Sequence, residues 1–455
     1  MTDSLPPGLT VALGAFASET DTVPPEAAAV ARSGVIDAIG VMLAARDEPV
    51  VNALRKVLAS PDHGRSARGA SILLSPQRTS PMDAALINAT SAHAFAMDDV
   101  AAGGHPSAIL MPALWAEAEG AGRSGADLLR AYAVGYELLV ELASREPDPL
   151  HGNGWHPTGL LGPVAVAGAI ANLKRLTPAQ CAHAIGIATS MTGGLIVNFG
   201  TPTKALHAGR IASAGLLAAN LAEQGVTATV DALEHDIGLL RIASPNKKVD
   251  VARPWKRPDV LRIVSEGLSI KKYPVCYSTH RVVDAAIDIA AQADFDPSAV
   301  ERIDVTIGRT QAWMARHHAP RTALEAKYSV EFAVVSGLVA RAAGFAQLDE
   351  SFIRSGLVQG LIAMTRLSLV DERSDDDPVF SPADRIVVTM KDGRIFDSGD
   401  VPFARGHAKL PLRASELHAK FKQCVEGVGI VDGDSLFERL QALEWVTDLR
   451  ELARY

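Results

Sequence analysis

Three short stretches of the chain place histidine or lysine beside glycine and proline. They are HAFAMDDVAAGGHPS at 93–107, the segment 151–210 from HGNGWHPTG to NFGTPTKALHAGR, and IKKYPVCYSTH at 270–280. Each stretch adjoins an apolar, helix-like run, and turns on a rigid scaffold commonly present polar groups to a ligand. We therefore interpret the three stretches as parts of one active site that performs acid–base chemistry.

Two histidines are each followed by proline, at His105-Pro106 and His156-Pro157. Proline restricts the preceding residue to extended geometry, so each histidine is predicted to lie in a turn that leads into a helix. A single histidine in a turn is often only a surface residue. Two in the same setting favour a functional role, and we select His105 and His156 as the acid and base pair.

Lys204 follows the sequence GTPT and begins a predicted helix over 204–222. The peptide dipoles at a helix N-terminus favour an anion, so Lys204 and the Thr203 hydroxyl would suit a carboxylate. His207 lies three residues later and should share a face with Lys204. The alternative is a solvated helix start, in which His207 and Arg210 only support the helix.

The third stretch carries Lys271, Lys272, Cys276, Tyr277 and His280 near a predicted domain junction, where ligand sites are common. We expect Lys271 to act as a base or to bind a carboxylate. The others are candidate substrate-binding residues, although Cys276 is more typical of a small packing residue than of a nucleophile.

Asp98 and Asp99 form an adjacent acidic pair inside the first stretch. Such a pair can orient a histidine or polarise a lysine. It can equally be a plain helix terminus, and the two interpretations remain open.

The charge of the chain limits its partners. The formal net charge is −8 and no Lys/Arg-rich block occurs, so neither nucleic acid nor an anionic membrane is an expected partner. The cations nevertheless gather in the three stretches. We therefore expect a small anionic carboxylate as the substrate.

Motifs for several other chemistries are absent from the sequence. The three cysteines, Cys181, Cys276 and Cys424, form no CxxC pair, so no disulfide framework, zinc cluster or iron–sulfur cluster is predicted. Dinucleotide-binding, P-loop, serine-hydrolase and HExxH motifs are missing in any credible context. The N-terminus resembles no secretory signal, and no apolar run reaches the ~20 residues of a membrane span. A cytoplasmic location is the expectation.

The pattern of elements predicts a mainly α fold with two domains. At 455 residues the chain exceeds the roughly 250 that one core supports. Helical spacing dominates up to about residue 265, whereas RIDVTIG at 302–308 and the runs around Asp392-Gly393 predict a strand and a hairpin. We predict a large helical domain, 1–265 completed by 405–455, and a smaller α+β domain, 266–404. Thr177 with Gln180, and Ser435 with Glu438, predict capping boxes.

The motifs taken together resemble the MmgE/PrpD family, which includes 2-methylcitrate dehydratase, cis-aconitate decarboxylase and iminodisuccinate epimerase. The resemblance is carried, in the family's order over residues 93–334, by HAFAMDD and GGHPSAILMPAL, GWHPTGLLG, NFGTPTKALHAGR, KKYPVCYSTH and EAKYSVEFAV. It implies a helical domain built from both chain ends, an inserted α+β domain, a homodimer, and neither a required metal nor an organic cofactor. It also places His105, His156, Lys204 and Lys271 in the site, with Asp98, Asp99 and His280 close by.

The chain departs from the family's decarboxylase and dehydratase pattern at three positions. Ala96 and Val100 stand where that pattern has aspartate and threonine, and Cys276 stands where the decarboxylase branch has histidine. The loop that leads to His105 is also one residue shorter than in the decarboxylase. Cys276 with Tyr277 is more similar to the epimerase branch.

The favoured hypothesis is a cofactor-independent lyase that removes a proton α to a carboxylate of a di- or tricarboxylic acid. His105 and His156 would transfer protons while Lys204 and Lys271 bind carboxylates. Loss of hydroxide would make the enzyme a dehydratase, which we favour, and reprotonation on the opposite face an epimerase. A decarboxylase, a metal-dependent hydrolase that uses the His and Asp residues, and a non-enzymatic helical scaffold or binding protein are the alternatives.

Overall fold

The computed structural model describes residues 8–58, 69–375, 379–428 and 432–452. These residues form nineteen α-helices and six short β-strands, so the mainly α fold class is confirmed. The chain divides into two compact units, Met1–Ser269 with Arg413–Tyr455, and Ile270–Leu412.

The first part of the first unit is almost entirely helical. Its elements are α1 Leu9–Glu19, α2 Pro25–Ala44, α3 Pro49–Val57, β1 Ala70–Ser71, β2 Arg78–Thr79, α4 Pro81–Ala94, α5 Pro106–Ala121, α6 Gly125–Ala143, α7 Pro157–Leu173, α8 Pro178–Thr189, α9 Thr203–Glu223, α10 Leu239–Ala243 and α11 Arg262–Ser265.

Small residues let the helices of this unit pack closely. Every residue of α7 is buried, and glycine, alanine and valine make up much of that helix. At Gly209 in α9, an added Cβ would lie 2.4 Å from the carbonyl oxygen of Leu86 in α4. Only glycine permits this approach of backbone to backbone. The packing of α4 against α9 brings the end of α4 beside the start of α9.

Helix α2 is long and apolar enough to cross a membrane by length and composition, and 67% of its apolar window is buried inside the structure. Buried core helices commonly meet the same criteria, so this is weak evidence for a membrane span.

The second unit is smaller and mixes helices with a sheet. Its elements are α12 His280–Ala290, β3 Val300–Gly308, α13 Arg309–Met314, α14 Ala323–Ala326, α15 Val330–Ala340, α16 Glu350–Ile353, α17 Gly356–Ala363, β4 Thr365–Val370, β5 Arg385–Met390 and β6 Ile395–Asp397. The strand order is β4-β3-β5-β6; β3 is parallel to β4 and antiparallel to β5, which pairs with β6 in antiparallel fashion. Ile303, Val305 and Ile307 of β3 are buried in the core of this unit.

Local predictions agree with the structure at two of three turns and caps. Strands β5 and β6 form the hairpin expected around Asp392-Gly393, and Thr177 with Gln180 forms the capping box that begins α8. The predicted Ser435 cap is wrong. Asp432 is the N-cap residue directly before Gly433, and its carboxylate accepts from the backbone N–H of Ser435, which is already inside the helix.

Two helices after residue 412, α18 Ala414–Val425 and α19 Gly433–Gln441, complete the first unit. Lys420 of α18 is buried, forms an ion pair with buried Asp37 of α2, and donates to the carbonyl oxygen of Met97 at 2.9 Å. The last part of the chain therefore holds the loop that follows α4.

We predict that Lys420→Met lowers the free energy of unfolding by about 3–5 kcal/mol, because it removes the cation that compensates a buried carboxylate. Urea denaturation of the purified protein measures this loss. The double variant Asp37→Asn/Lys420→Met removes both charges and should recover part of the stability. A change below about 0.5 kcal/mol in the single variant, the range of ordinary surface substitutions, would contradict the prediction.

Candidate active site

The helix N-termini of the first unit position three of the predicted residues. His105 and His156 are the N-cap residues of α5 and α7, each with proline at the first helical position, and Lys204 is the second residue of α9. The turn geometry predicted for both histidines is confirmed. Helix N-termini present N–H dipoles that stabilise negative charge, so this part of the unit suits an anion.

Asp98 connects two imidazoles. Its Oδ2 atom lies 2.8 Å from Nδ1 of His93 and 2.9 Å from Nδ1 of His105. Nδ1 of His105 also lies 2.9 Å from the backbone carbonyl oxygen of Asp99. Because a carboxylate and a carbonyl only accept hydrogen bonds, both Nδ1 atoms are the protonated ones in the neutral rings.

Lys204 reaches the same group of side chains from α9. Its Nζ atom lies 2.9 Å from Nε2 of His93 and 5.4 Å from the centre of the Phe199 ring. A lysine ammonium group has only donors, so Nε2 of His93 accepts this hydrogen bond. Asp98, His93 and Lys204 thus form a continuous chain of contacts.

His156 lies on the other side of these rings. Its Nδ1 atom is 3.2 Å from Nδ1 of His207, and its ring stacks on His93 with centroids 5.7 Å apart and meets the edge of Phe199 at 5.0 Å. His156 is buried, and among the described residues no hydrogen-bond partner lies near its Nε2 atom. We call His93, His105, His156 and His207 the histidine cluster.

Close backbone contact holds His156 in place. Its N–H donates to the carbonyl oxygen of Gly194 at 3.0 Å. An added Cβ at Gly159, in the first turn of α7, would lie 1.9 Å from the carbonyl oxygen of Gly193. The sequence GWHPTG therefore needs its last glycine so that the 193–194 turn can reach His156.

Asp99 points away from the cluster into the protein. It accepts from the backbone N–H of Ser107 at 3.1 Å and from the Ser107 hydroxyl, which also contacts Tyr132. Burial raises the pKa of Asp99 to about 7, although the Ser107 hydrogen bond opposes the shift. Asp99 therefore anchors the loop, whereas Asp98 contacts the imidazoles.

Burial keeps the inner imidazoles neutral. It lowers the pKa of His93 to about 3; the Asp98 charge opposes this shift and the Lys204 charge adds to it. Burial, followed by the charge of Lys204, also lowers the pKa of His156 well below its usual value. The same two causes lower the pKa of His207. Lys204 therefore stands beside neutral rings that can accept or donate single protons.

The cluster suits an anion better than a metal ion. Ligand nitrogens of His93, His105 and His156 lie within 4.8 Å of one another, and neutral imidazoles are common metal ligands. However, the ammonium group of Lys204 contacts the Nε2 atom that His93 would offer. A cation there would have to displace this contact and face a positive charge.

The structure divides the predicted site residues between the two units. His105, His156, Lys204, His207 and Asp98 come together in the first unit, and Asp99 lies beside them. Thr203 and Arg210 are exposed on α9, and none of the contacts described above involves either residue.

The residues of the third stretch belong to the second unit. Lys271 is 3% exposed, and Lys272 is half-buried. The sulfur of Cys276 lies 3.1 Å from the Ser278 hydroxyl, and the buried His280 ring packs against Tyr277 with centroids 5.2 Å apart. The carboxylate-binding role of Lys271 stays a prediction.

Sequence reasoning missed His93 and Phe199. His93 is in the last turn of α4 and lacks the glycine or proline neighbours by which the other histidines were selected. The spacing of His93 and Asp98 could have indicated this contact. A residue in the last turn of a helix and a residue five positions later can meet across the turn that follows the helix.

We predict that wild-type protein loses stability faster than His93→Gln as the pH falls from 6.5 towards 3. His93 binds its proton in the unfolded chain within this window but not in the folded protein, so protonation favours unfolding. The extra slope is at most about 1.4 kcal/mol per pH unit. Urea denaturation at several pH values measures it, and parallel curves for the two proteins would contradict the prediction.

Comparison with known proteins assigns both parts of the chain to one family. The MmgE/PrpD N-terminal domain matches residues 12–252, and the MmgE/PrpD C-terminal domain matches residues 273–442. The first match alone covers more than half of the chain.

Similar proteins include several cis-aconitate decarboxylases. The human (Homo sapiens) enzyme is 29% identical over 362 residues, which cover 76% of this chain and 73% of the human protein. The mouse (Mus musculus) enzyme is 27% identical over 392 residues, covering 83% and 78%. An Aspergillus terreus enzyme is 24% identical over 410 residues, covering 83% and 81%. Decarboxylases are lyases, so these relatives support a lyase activity. From the two domain matches, the chain belongs to the MmgE/PrpD family.

Proposed function

We propose that the protein is a cofactor-independent lyase that moves a proton at the carbon α to a carboxylate of a small di- or tricarboxylic acid. The observation that carries this proposal is the contact of one Asp98 oxygen with Nδ1 of both His93 and His105, next to the Lys204 ammonium group. It combines an oriented base with a fixed cation.

His105 is the proposed base. The Asp99 carbonyl oxygen accepts from Nδ1, and Oδ2 of Asp98 lies 2.9 Å from the same nitrogen, so the lone pair of the neutral ring is on Nε2. Removal of a substrate proton by Nε2 creates an imidazolium, which the Asp98 carboxylate stabilises. This is the role that an aspartate has beside a catalytic histidine in other enzymes.

Lys204 is the proposed carboxylate-binding cation. A carbanion next to a carboxylate is costly, since the electron pair moves onto oxygens that already bear negative charge. A fixed ammonium group and the N-termini of α5, α7 and α9 would stabilise this developing charge without reorganisation.

His156 is the proposed proton donor. If Nδ1–H of His207 donates to Nδ1 of His156, the proton of His156 is on Nε2. A neutral imidazole can act in this way, as it does in triosephosphate isomerase. The His105 and His156 ring centroids lie 6.0 Å apart, which suits a base and a donor that act on neighbouring substrate atoms.

Dehydration is the favoured outcome, since it uses both groups. His105 takes the α proton, the electron pair of the C–H bond forms the double bond, and the hydroxyl on the next carbon leaves as water with the proton of His156. Epimerisation would instead return a proton to the opposite face of the same carbon.

Decarboxylation is the second candidate, and the names of the relatives favour it. The bond to a carboxylate breaks, its electron pair forms a new double bond, the existing double bond shifts, and its far carbon takes a proton from the donor. The departures at Ala96, Val100 and Cys276 count against this outcome.

The deciding experiment incubates the protein with EDTA in deuterated water and offers separately 2-methylcitrate, cis-aconitate and an amino-dicarboxylate. Proton and carbon NMR would follow each mixture. An alkene without carbon dioxide indicates dehydration, carbon dioxide indicates decarboxylation, and α deuterium with inverted configuration indicates epimerisation. Activity that EDTA abolishes would support the metal-dependent hydrolase instead. No exchange with any of these acids would count against the proposal.

We predict that Asp98→Asn lowers kcat on the active substrate by roughly a thousand- to ten-thousandfold, because the imidazolium formed on His105 loses its counter-charge. Steady-state kinetics measure kcat, and a thermal melt shows whether the variant is folded. Asp434→Asn is the matched control, since Asp434 is about half exposed on α19 and pairs with Lys422. A folded Asp98→Asn protein with wild-type kcat would show that Asp98 does not stabilise the imidazolium of the base.

A further inference from the structure

His93 lies between the two charged groups of the site. It ends α4 and is buried. Its Nδ1 atom faces Asp98 at 2.8 Å and its Nε2 atom faces Lys204 at 2.9 Å. We propose that His93 is a positioning residue that couples the carboxylate-binding cation to the catalytic base, an inference that rests on the roles proposed above for Lys204 and His105.

The partners of His93 determine its hydrogen atoms. Asp98 can only accept and the lysine ammonium group can only donate, so the ring must donate through Nδ1 and accept through Nε2. Only one neutral tautomer satisfies both contacts. A protonated ring would turn an N–H towards the ammonium group, and the other tautomer would fail at both ends.

The contact with Lys204 fixes the position of a flexible cation. A lysine side chain has four rotatable bonds, so its ammonium group can take many positions. Nε2 of His93 and the face of Phe199, 5.4 Å from Nζ, hold it at the start of α9. The two other imidazoles near His93, those of His105 and His156, are packed against its ring.

The contact with Asp98 reaches the base. His93 and His105 share the same carboxylate oxygen, so loss of the His93 donor changes the orientation and charge distribution of the group that supports His105. One imidazole thus sets both substrate binding and proton removal. A residue that only filled the core would influence neither through hydrogen bonds.

Two substitutions separate the contacts of His93. The Oε1 atom of glutamine can take the place of Nε2 and accept from Lys204, and the Nδ2–H of asparagine can take the place of Nδ1 and donate to Asp98. His93→Leu removes both contacts. A hydrogen bond to a charged group contributes about 1.5–3 kcal/mol, or roughly 10- to 100-fold.

We expect His93→Asn to raise KM by roughly 10- to 100-fold with a smaller effect on kcat, since the cation is released but Asp98 keeps a donor. His93→Gln should show the reverse split, with KM near the wild-type value and kcat lowered. His93→Leu should show both losses. Equal changes of KM and kcat in the Gln and Asn variants would overturn the proposal.

A second measurement does not need a substrate. Acetic anhydride labels unprotonated lysine amines, and mass spectrometry then reports the labelling of Lys204 as a function of pH. His93→Asn and His93→Leu should shift this profile relative to wild type, whereas His93→Gln should retain it. Lys422, exposed on α18, is the internal control and should react alike in every protein.

The two measurements have distinguishable failures. If no acid is turned over but the Lys204 profile shifts as described, the proposed function fails and the positioning role stands. If turnover is found and the Lys204 profile is identical in all four proteins, the positioning role is wrong. Should His93→Leu fail to fold, the comparison of Gln with Asn decides the matter alone.

Discussion

One carboxylate oxygen, Oδ2 of Asp98, meets two imidazole nitrogens that approach from different elements, the end of α4 and the start of α5. It accepts a hydrogen bond from Nδ1 of His93 and lies beside Nδ1 of His105, which donates to the Asp99 carbonyl oxygen, so Nε2 is the basic nitrogen of both neutral rings. Lys204 can then approach only the accepting side of His93. The acid–base character of His93 and His105 therefore depends on the position of this single oxygen.

The surrounding helices stabilise the site through their N-terminal dipoles and their close packing. Three helix N-termini supply partial positive charge without bringing in additional side chains. Glycines at 159 and 209 let backbone carbonyl groups approach where a methyl group would collide. Burial of the rings removes water, which strengthens the remaining electrostatic interactions, and it lowers the pKa of His93 and of His156 so that these two imidazoles are neutral.

Sequence reasoning predicted the parts of the fold and site that local rules determine. Proline after His105 and His156 fixes their place at helix starts, and Asp392-Gly393 specifies a tight hairpin. The position of His93 in the site was not predicted, because its sequence neighbours are ordinary helix residues. Its contact with Lys204 arises only from the packing of α4 on α9. Lys420 has the sequence context of a surface lysine, in HAKFKQC, and its burial depends on residues far away in the chain. Asp432 occupies the N-cap position that was predicted for Ser435. Both residues are candidate N-caps in one segment, and the sequence alone does not rank them.

The position of Lys420 in the sequence affects the order in which parts of the protein can fold. It follows Met97, whose carbonyl oxygen it holds, by 323 residues, and contacts so distant along a chain form late in folding. During synthesis the ribosome releases α4, α5, α7 and α9 long before α18, so the histidines are already translated while the loop with Asp98 still lacks its lysine. The loop with Asp98 should therefore be held in place only after α18 has been synthesised, so shorter nascent chains lack the complete arrangement of the histidine cluster.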